Sequence, residues 1–341
     1  MSLDYVLMDK LLVTGGCGFI GSNFIQNRIR THSDSSVVNV DSLSYGSNRR
    51  NLAKVNSNLR YRFVKSDIRD SERITELVAD SDVLVNFAAE THVDRSISNP
   101  QKFVESNVVG TQKLLEAAKG SKIRKFIQIS TDEVYGSARR DERFVEDSRL
   151  NPSSPYSASK GAADLFVASY FRTYRLPTII LRCTNNFGPY QFPEKFIPKA
   201  IIKAKSGGRI PIYGDGSQVR DWIYVADFCA AIDSVIERGQ PGRIYNVATG
   251  VGATNLEVAR KVLRLLGKST ELIEFVEDRP GHDVRYSMNS EKIRSELGWV
   301  PATGFDDALR LTVDWYLSNE NCWQPLVSDK VLSASPWNES W

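Results

Sequence analysis

The sequence predicts an α/β fold in which a doubly wound parallel sheet is followed by a smaller α/β lobe in the C-terminal half. Short β-branched runs alternate with longer amphipathic segments through the first half, and this spacing favours right-handed crossovers between parallel strands. A glycine-rich turn at residues 15–21 lies between the first predicted strand and the first predicted helix. After about residue 185 the alternation loosens, because proline, glycine and aromatic residues interrupt residues 185–213.

The predicted elements follow from hydrophobic periodicity. Strands are expected at residues 10–14, 36–40, 61–65, 83–87, 125–129 and 178–182. Helices of the first half are expected at residues 19–29, 104–118 and 156–174. Helices of the second half are expected at residues 225–237, 255–266, 290–297 and 306–317. The tail from residue 321 shows no clear pattern.

Composition excludes several classes of protein. The 341 residues exceed the size of one ordinary core, and 44 basic against 41 acidic residues leave a net charge of only +3. This weak excess does not indicate nucleic acid, although it suits an anionic small substrate. No apolar run approaches the ~20 residues of a membrane helix. Residues 1–5 carry no basic segment ahead of an apolar stretch, so neither a secretory signal nor a membrane partner is expected.

Cysteine spacing argues against disulfides and metal. The four cysteines form no CxxC pair and are far apart in the sequence: Cys17, Cys183, Cys229 and Cys322. A disulfide framework or a zinc site is therefore not expected, and no metal is predicted. A reducing, cytoplasmic setting fits this usage best.

The glycine-rich turn predicts a dinucleotide site. Gly15, Gly18 and Gly21 have the spacing GxxGxxG, and glycines there let the backbone approach a pyrophosphate at the N-terminus of a helix. Asp41 ends the second strand, twenty residues after Gly21. A carboxylate there can bind ribose hydroxyls and would repel a 2′-phosphate, which favours NAD over NADP. The alternatives are a purely structural glycine loop and an Asp41 that only caps a turn.

Later strand ends extend this site. Asp67 and Ile68 follow the third strand, where they would meet the adenine, and Phe87, Ala88 and Ala89 follow the fourth, where small side chains would approach the cofactor. Each group could also be strand-end packing. All of them fall at the carboxyl ends of strands, where open α/β sheets bind ligands.

A tyrosine and a lysine indicate redox chemistry. Tyr156 and Lys160 are four residues apart on a predicted helix and therefore share a face. A nearby ammonium and a positively charged nicotinamide would lower the pKa of the phenol, which could then remove a proton from a substrate hydroxyl. Thr131, at the end of a strand, would hydrogen-bond the same hydroxyl. The pattern Tyr-x-x-x-Lys alone is common by chance. It becomes evidence for a catalytic pair because a dinucleotide motif precedes it in the sequence.

Together these motifs resemble the extended short-chain dehydrogenase/reductases, a group of nucleotide-sugar epimerases, dehydratases and decarboxylases. The resemblance rests on residues 14–21, on Tyr156 and Lys160, and on the Asn-Asn-Phe-Gly-Pro run at residues 185–189. It extends from Lys10 to about Tyr316. It implies a Rossmann-like NAD-binding domain over residues 1–185 and a nucleotide-sugar-binding lobe over residues 186–320. Some elements would be interleaved between the two, and residues 321–341 would form the tail.

One segment is similar to the dTDP-glucose 4,6-dehydratases in particular. Residues 130–136 read Ser-Thr-Asp-Glu-Val-Tyr-Gly, and further similar stretches lie at residues 89–96, 189–195, 220–222 and 278–283. Oxidation at sugar carbon 4 acidifies the hydrogen on carbon 5, and the resemblance implies Glu133 as the base and Asp132 as the acid that protonates the hydroxyl leaving carbon 6. Burial beside a second carboxyl would keep Asp132 protonated. The alternative is a pair of solvated loop charges.

The resemblance also completes the predicted sets of site residues. The catalytic set is Thr131, Asp132, Glu133, Tyr156 and Lys160. The cofactor set is Gly15, Gly18, Phe19, Ile20, Gly21, Asp41, Ser44, Asp67, Ile68, Phe87, Ala88, Ala89, Tyr156, Lys160 and Asn186. The substrate set, in which basic side chains would meet the diphosphate, is Thr91, Thr131, Asn185, Glu194, Lys195, Arg220, Asn255, Arg279 and His282.

Two further questions stay open at the level of sequence. Thymine and uracil differ by one methyl group, worth ~1 kcal/mol in an apolar pocket, so dTDP-glucose is preferred over UDP-glucose by little. A UDP-sugar epimerase or decarboxylase is disfavoured by the acidic pair, and a non-catalytic NAD-sensing protein by the presence of all four reactive side chains. The predicted helices at residues 104–118 and 156–174 resemble those of a four-helix dimer interface, which implies a homodimer.

Overall fold

The computed structural model describes residues 9–339 and has a seven-stranded sheet at its centre. Numbered along the described chain, its strands are β1 (Asp9–Thr14), β2 (Ser35–Asp41), β3 (Tyr61–Lys65), β4 (Val83–Asn86), β5 (Lys125–Thr131), β6 (Thr178–Cys183), β7 (Asn185–Phe187), β8 (Ile210–Tyr213), β9 (Val219–Tyr224), β10 (Ile244–Val247), β11 (Gly252–Thr254) and β12 (Ile273–Val276). The large sheet has the order β10-β6-β5-β4-β1-β2-β3, with every neighbouring pair parallel. The predicted doubly wound parallel sheet is therefore confirmed. The expectation for residues 1–5 lies outside the described residues.

Helices cover both faces of this sheet and build much of the smaller lobe. They are α1 (Phe19–Thr31), α2 (Ser71–Ala79), α3 (Val93–Ser98), α4 (Pro100–Phe103), α5 (Thr111–Lys119), α6 (Pro155–Tyr174), α7 (Phe196–Lys205), α8 (Val225–Arg238), α9 (Asn255–Leu265), α10 (Glu291–Leu297), α11 (Phe305–Ser318) and α12 (Glu320–Trp323). Within residues 9–339, no helix has the length and apolar character needed to cross a membrane.

Apolar packing on both faces explains why the strands of the large sheet are such continuous hydrophobic runs. Leu11, Leu12 and Val13 of β1 are fully buried, because a parallel sheet covered by helices on both faces exposes neither side to water. On one face, Phe24 of α1 joins the cluster that includes residues of α8. On the other face, Val167 of α6 joins a cluster with residues of α2 and α5. The strand ends are thereby held at fixed positions.

The smaller lobe contains two short sheets. One has the order β11-β9-β7, and the other pairs β12 with β8 in parallel. A separate apolar cluster formed by α7, α9 and α11 fills the space behind them. β10 lies in the large sheet beside β6, so the chain returns from the lobe to the sheet, as the predicted interleaving allows. The division at residue 185 stays a prediction.

Two elements differ from what the sequence predicts. The expected helix at residues 104–118 begins with α4 and continues as a π-helical turn, Val104–Gly110, before α5. Asn107 in this turn clamps the loop after β4: its Oδ1 accepts from the Glu90 N–H at 2.8 Å, and its Nδ2 donates to the Glu90 carbonyl at 3.0 Å. The tail also has structure, because it contains α12 and a short 3-10 turn in which Trp337 packs edge-on against Tyr213, with 5.0 Å between ring centroids.

Candidate active site

Two adjoining cavities lie where the strands of the large sheet end and the lobe begins. The first cavity has a volume of about 270 Å³ and the second about 170 Å³. Both are bordered by His92, Glu133, Asn185 and Lys195, so they meet at these four side chains. Open α/β sheets bind ligands at this edge, because the loops after the strands converge there.

The structure places every residue of the predicted cofactor set around the first cavity. These residues are Gly15, Gly18, Phe19, Ile20, Gly21, Asp41, Ser44, Asp67, Ile68, Phe87, Ala88, Ala89, Tyr156, Lys160 and Asn186. They come from the ends of β1, β2, β3 and β4, from β7, and from the first turns of α1 and α6. Residues as far apart in sequence as Gly15 and Asn186 therefore line the same cavity.

The glycine-rich turn fits a dinucleotide because its backbone is packed too closely for side chains. Gly15 has φ +68°, and a Cβ there would lie 2.6 Å from the Ala88 nitrogen. A Cβ on Gly21 would lie 2.7 Å from the Gly15 carbonyl oxygen. Gly18, the N-cap of α1, supplies no side-chain cap, so the first N–H groups of the helix remain available to an anion.

Asp41 both shapes the glycine-rich turn and borders the first cavity. One carboxylate oxygen accepts from the Cys17 N–H at 2.9 Å, and the other accepts from the Leu43 N–H at 2.8 Å. Burial raises the pKa of Asp41, and these hydrogen bonds oppose that shift. Asp41 therefore caps the turn, as the alternative interpretation expects. Because Asp41 also lines the first cavity, its carboxylate is within reach of a ligand.

Tyr156 and Lys160 reach the first cavity from the first turns of α6. The helix begins at a capping box formed by Ser154 and Ser157, with Pro155 at its first position. The Lys160 ammonium donates to the Ile129 carbonyl at 2.6 Å. Both side chains are buried and face the end of β5.

The predicted lowering of the phenol's pKa is not found in the protein alone. Burial raises the pKa of Tyr156 well above its ordinary value, and the nearby Glu133 carboxylate raises it further. Burial also lowers the pKa of Lys160. Burial disfavours both charged forms, so the predicted activation of the phenol depends on the second charge named in that prediction, the positively charged nicotinamide. Activation requires additional positive charge in the cavity.

Asp132 and Glu133 lie in a tight 3-10 turn, Asp132–Tyr135, directly after β5. The turn is capped by Thr131, whose hydroxyl oxygen accepts from the Glu133 N–H at 3.3 Å. Asp132 is only 4% exposed, and its carboxyl lies 3.0 Å from the Thr184 hydroxyl and 3.2 Å from that of Thr131. The alternative of solvated loop charges is therefore wrong.

The two carboxyl groups have different surroundings. Burial and the neighbouring Glu133 raise the pKa of Asp132 to about 8, which favours its protonated form at neutral pH. Burial also raises the pKa of Glu133, but Arg279, Arg220 and Lys195 act against that shift. Asp132 borders the first cavity alone, whereas Glu133 borders both cavities. The arrangement can therefore hold one proton on Asp132, while three cationic side chains oppose the effect of burial on the pKa of Glu133.

The predicted substrate residues are divided between the two cavities. Thr91 and Thr131 border the first cavity only. The remaining members border the second cavity: Asn185, Glu194, Lys195, Arg220, Asn255, Arg279 and His282. Asn185 and Lys195 border both. All nine residues therefore surround one continuous region centred on Glu133.

The basic side chains of the second cavity are held by contacts that fix their direction. Lys195 donates to the Thr91 carbonyl at 2.6 Å, and the Arg220 guanidinium lies 4.1 Å from the centroid of the Tyr286 ring. Arg279 donates to Asp94 at 2.8 Å. Such cations suit a diphosphate, whose oxygens accept several charge-assisted hydrogen bonds.

His282 does not add to this positive charge. Its Nδ1 lies 2.6 Å from an Asp278 carboxylate oxygen. Burial and the charges of Arg279 and Arg220 lower the pKa of His282 to about 4. The ring is therefore neutral at neutral pH, and it can serve only as a hydrogen-bonding group.

Several residues of the second cavity had no role in the sequence analysis, and three of them contact the predicted site residues. Tyr286 donates to the Asp283 carboxylate at 2.8 Å and lies 3.4 Å from Glu133 Oε2. Asp94 holds Arg279 and also accepts from the Tyr213 hydroxyl at 3.1 Å. Asp94 belongs to the stretch at residues 89–96, whose similarity to the dehydratases gave a partial indication that it lies at the site. Nothing in the local sequence marks Tyr213 or Tyr286.

Unpaired polar atoms at the meeting point of the cavities also indicate ligands. Asn185 Oδ1 and Asn186 Oδ1 are buried and have no hydrogen-bond partner within residues 9–339. Buried acceptors of this kind require a donor from elsewhere, so these two amides fit the sugar and nicotinamide sides of a bound pair of ligands. In the same part of the chain, no cluster of three His, Cys, Asp or Glu side chains is suited to a metal ion.

Comparisons with known proteins agree with this geometry. A model of the family described as GDP-mannose 4,6 dehydratase matches residues 12–312. A low-salt glycan biosynthesis protein of Haloferax volcanii is 53% identical over 310 residues, which cover 91% of this chain and 99% of the relative. A dTDP-glucose 4,6-dehydratase of Streptomyces niveus is 44% identical over 331 residues, which cover 96% of this chain and 98% of the relative.

Solved structures show the same relationship. The dTDP-glucose 4,6-dehydratase DesIV of Streptomyces venezuelae, crystallised with NAD bound, has a TM-score of 0.91 at 44% identity and covers 93% of this chain and 100% of its own. The UDP-glucuronic acid 4-epimerase of Bacillus cereus, in complex with UDP-glucuronic acid and NAD, has a TM-score of 0.86 at 29% identity and covers 91% of this chain and 99% of its own. The family match and the near-complete relatives show that this chain belongs to the GDP-mannose 4,6-dehydratase family.

Proposed function

We propose that this chain catalyses the NAD-dependent conversion of dTDP-glucose to dTDP-4-keto-6-deoxyglucose and water. The observation that carries the proposal is the adjacent pair of buried Asp132 and partly buried Glu133, which borders the same cavity as Tyr156. This chemistry needs one acid and one base beyond the redox pair, and the different surroundings of the two carboxyl groups supply both. Relatives named as dTDP-glucose 4,6-dehydratases cover nearly the whole chain and support the choice of substrate.

The first cavity is assigned to NAD. The backbone of the glycine-rich turn would hold the pyrophosphate, Asp41 the ribose hydroxyls, and Asn186 the nicotinamide side. When bound, NAD supplies the acceptor and later the donor of the hydride, and its positive charge. That charge favours the phenolate of Tyr156, which burial otherwise disfavours. With this assignment, residues 1–185 are proposed as the dinucleotide domain and residues 186–320 as the nucleotide-sugar lobe.

The reacting groups surround the meeting point of the cavities. Tyr156 takes the proton of the hydroxyl on carbon 4, and Thr131 hydrogen-bonds the same hydroxyl. Once carbon 4 is a ketone, Glu133 takes the acidified proton from carbon 5, and Asp132 donates its proton to the hydroxyl that leaves carbon 6. Lys195, Arg220 and Arg279 hold the diphosphate in the second cavity and direct the sugar towards Glu133.

A second candidate is 4,6-dehydration of UDP-glucose by the same residues. A solved relative with a UDP-sugar bound has the same fold, and the two bases differ only by a methyl group. Epimerisation or decarboxylation of a UDP-sugar would also use the redox pair, but it would not need the proton that the environment of Asp132 retains.

We propose further that the protein is a homodimer. Val104 and Val109 of the π-helical turn, with Leu165 and Phe166 of α6, are apolar side chains that are 39–64% exposed. They lie on the two neighbouring segments whose sequence implies a four-helix interface.

We also propose that the protein is cytoplasmic. The four cysteines are free thiols, which suits a reducing compartment.

The substrate assignment predicts the mass of the product. Incubated side by side with dTDP-glucose and UDP-glucose, the protein should convert the dTDP-sugar faster, and the product should be lighter by one water. Mass spectrometry of both reaction mixtures measures this directly. A product of unchanged mass would contradict dehydration and favour epimerisation, whereas faster loss of water from UDP-glucose would contradict only the choice of base.

The carboxyl pair predicts that oxidation and elimination can be separated. Glu133→Gln and Asp132→Asn should still oxidise the sugar but slow elimination by at least ~100-fold, because each removes one proton-transfer group. Stopped-flow absorbance should then show reduced cofactor accumulating on the enzyme. Tyr156→Phe is the control, because it should block oxidation and show no such accumulation. Normal dehydration by both carboxyl variants would show that the pair is structural.

The pKa of Asp132 sets the expected pH dependence of elimination. Its pKa is about 8, so the acid is protonated below that pH and the elimination rate should fall as the pH rises through about 8. Asp132→Asn should remove this fall along with most of the rate. In deuterated water, the wild-type enzyme should place deuterium at carbon 5 of the product.

The position of Asp41 predicts the choice of cofactor. Turnover of the protein freed of cofactor should be restored by NAD better than by NADP, because a buried carboxylate would repel the 2′-phosphate. Asp41→Ser should reduce the difference between the turnover restored by NAD and the turnover restored by NADP. Equal restoration of the wild-type protein by both cofactors would show that Asp41 serves only the turn.

The exposed apolar face predicts a dimer that a charge can disrupt. Leu165→Glu should shift the protein from dimer to monomer in sedimentation velocity, because a carboxylate would be buried in the interface. Leu59→Glu is the matched control, since Leu59 is fully exposed in the loop before β3. A wild-type monomer, or a Leu165→Glu variant that remains dimeric, would overturn this interface.

A further inference from the structure

A cluster of side chains joins the rim of the first cavity to the lobe. Tyr45 lies in the loop after β2, and its hydroxyl donates to the Glu194 carboxylate in the segment just before α7. Arg95, on α3, donates through Nε to both Glu194 carboxylate oxygens at 3.2 and 3.1 Å. The same guanidinium lies over the face of the Tyr45 ring. Three segments that are far apart in sequence therefore meet at one buried carboxylate.

Aromatic packing reinforces this junction. The Tyr45 ring lies 4.8 Å from the ring of Phe192 and 5.1 Å from that of His92, both in edge-on contact. Gly46 follows in the left-handed region with φ +86°, and a Cβ there would lie 3.1 Å from His92. Burial lowers the pKa of His92 well below its ordinary value, so the ring packs as a neutral group. The loop at residues 42–47 is thereby pressed against the lobe.

The position of this junction relates it to the cofactor site. Tyr45, Gly46, His92 and Phe192 all border the first cavity, whereas Glu194 borders only the second. Any ligand in the first cavity that passes this rim must separate the loop from the lobe. Glu194 is only 8% exposed, so separation also exposes a buried ion pair and a buried hydrogen bond. Opening the rim is therefore costly.

We propose that Tyr45, Arg95 and Glu194 form a cofactor latch, which fastens the loop at residues 42–47 to the lobe and slows release of the dinucleotide. This inference rests on the assignment of NAD to the first cavity. Glu194, expected from the sequence to bind substrate, is on this account a positioning residue, because both of its carboxylate oxygens are engaged by Arg95 and one of them also by Tyr45. A latch suits a reaction that returns its hydride to the same sugar and needs no exchange of cofactor.

Release of labelled NAD tests the latch without relying on turnover. The wild-type protein and its variants are loaded with isotope-labelled NAD and chased with unlabelled NAD, and retained label is followed over time. Tyr45→Phe keeps the ring and removes only the hydroxyl, so it should speed release by ~10-fold, the effect of losing one hydrogen bond to a charged group. Tyr190→Phe is the matched control, because Tyr190 packs on Trp315 outside both cavities.

A double variant separates the latch from a direct contact between Tyr45 and the cofactor. Glu194→Gln, which lies outside the first cavity, should also speed release. Tyr45→Phe combined with Glu194→Gln should release NAD no faster than the faster single variant, because both changes break one linkage. Additive effects, or wild-type release by Tyr45→Phe, would overturn the latch and leave the proposed function standing. A wild-type protein that takes up no NAD would overturn both.

Discussion

The close approach of two carboxyl groups and a phenol around one cavity, with Asp132 and Tyr156 buried and Glu133 partly buried, is the constraint on which the rest of the site depends. Each group loses solvation, and each negative charge disfavours ionisation of the others, so the pKa values of Asp132, Glu133 and Tyr156 are all raised. The protein cannot hold all three ionised. It holds cationic side chains around Glu133 and hydroxyl groups beside Asp132, and this difference suits the proposed roles of base for Glu133 and acid for Asp132.

The cations that favour ionised Glu133 must themselves be held, and the holding groups come from both halves of the chain. Arg279 is paired with Asp94 of α3, which belongs to the large-sheet half, and Lys195 donates to the Thr91 carbonyl after β4. Arg220 stays within the lobe, against Tyr286. The electrostatics of the site therefore exist only when the lobe is docked on the sheet. The proposed binding of the diphosphate and the proposed proton transfers would thus be coupled through the same contacts.

Much of the dinucleotide cavity could be predicted from sequence because its parts are local. Many of the residues that line it follow a strand that reads clearly as an apolar run, and parallel strands bring their carboxyl ends to one edge of the sheet. The lobe was harder to predict, because β7 and β11 are only three residues long and show no alternation of polar and apolar residues. Tyr286 and Glu133 are 153 residues apart, so their contact could come only from the folded chain. The burial that raises the pKa of Tyr156 in the protein alone could not be predicted from sequence either, since burial depends on packing from every side.

The border shared by the two cavities explains why the protein must supply the proton for the leaving hydroxyl in the proposed reaction. His92, Glu133, Asn185 and Lys195 separate the cavities, so two bound ligands would meet at Glu133 and exclude water between them. Loss of an unprotonated hydroxide from carbon 6 into such a space is unfavourable, and the two ligands would leave no water beside the leaving oxygen to protonate it. Asp132, buried and protonated beside the hydroxyls of Thr131 and Thr184, is the group placed to do so. The exclusion of water that raises its pKa is therefore also what makes its proton necessary.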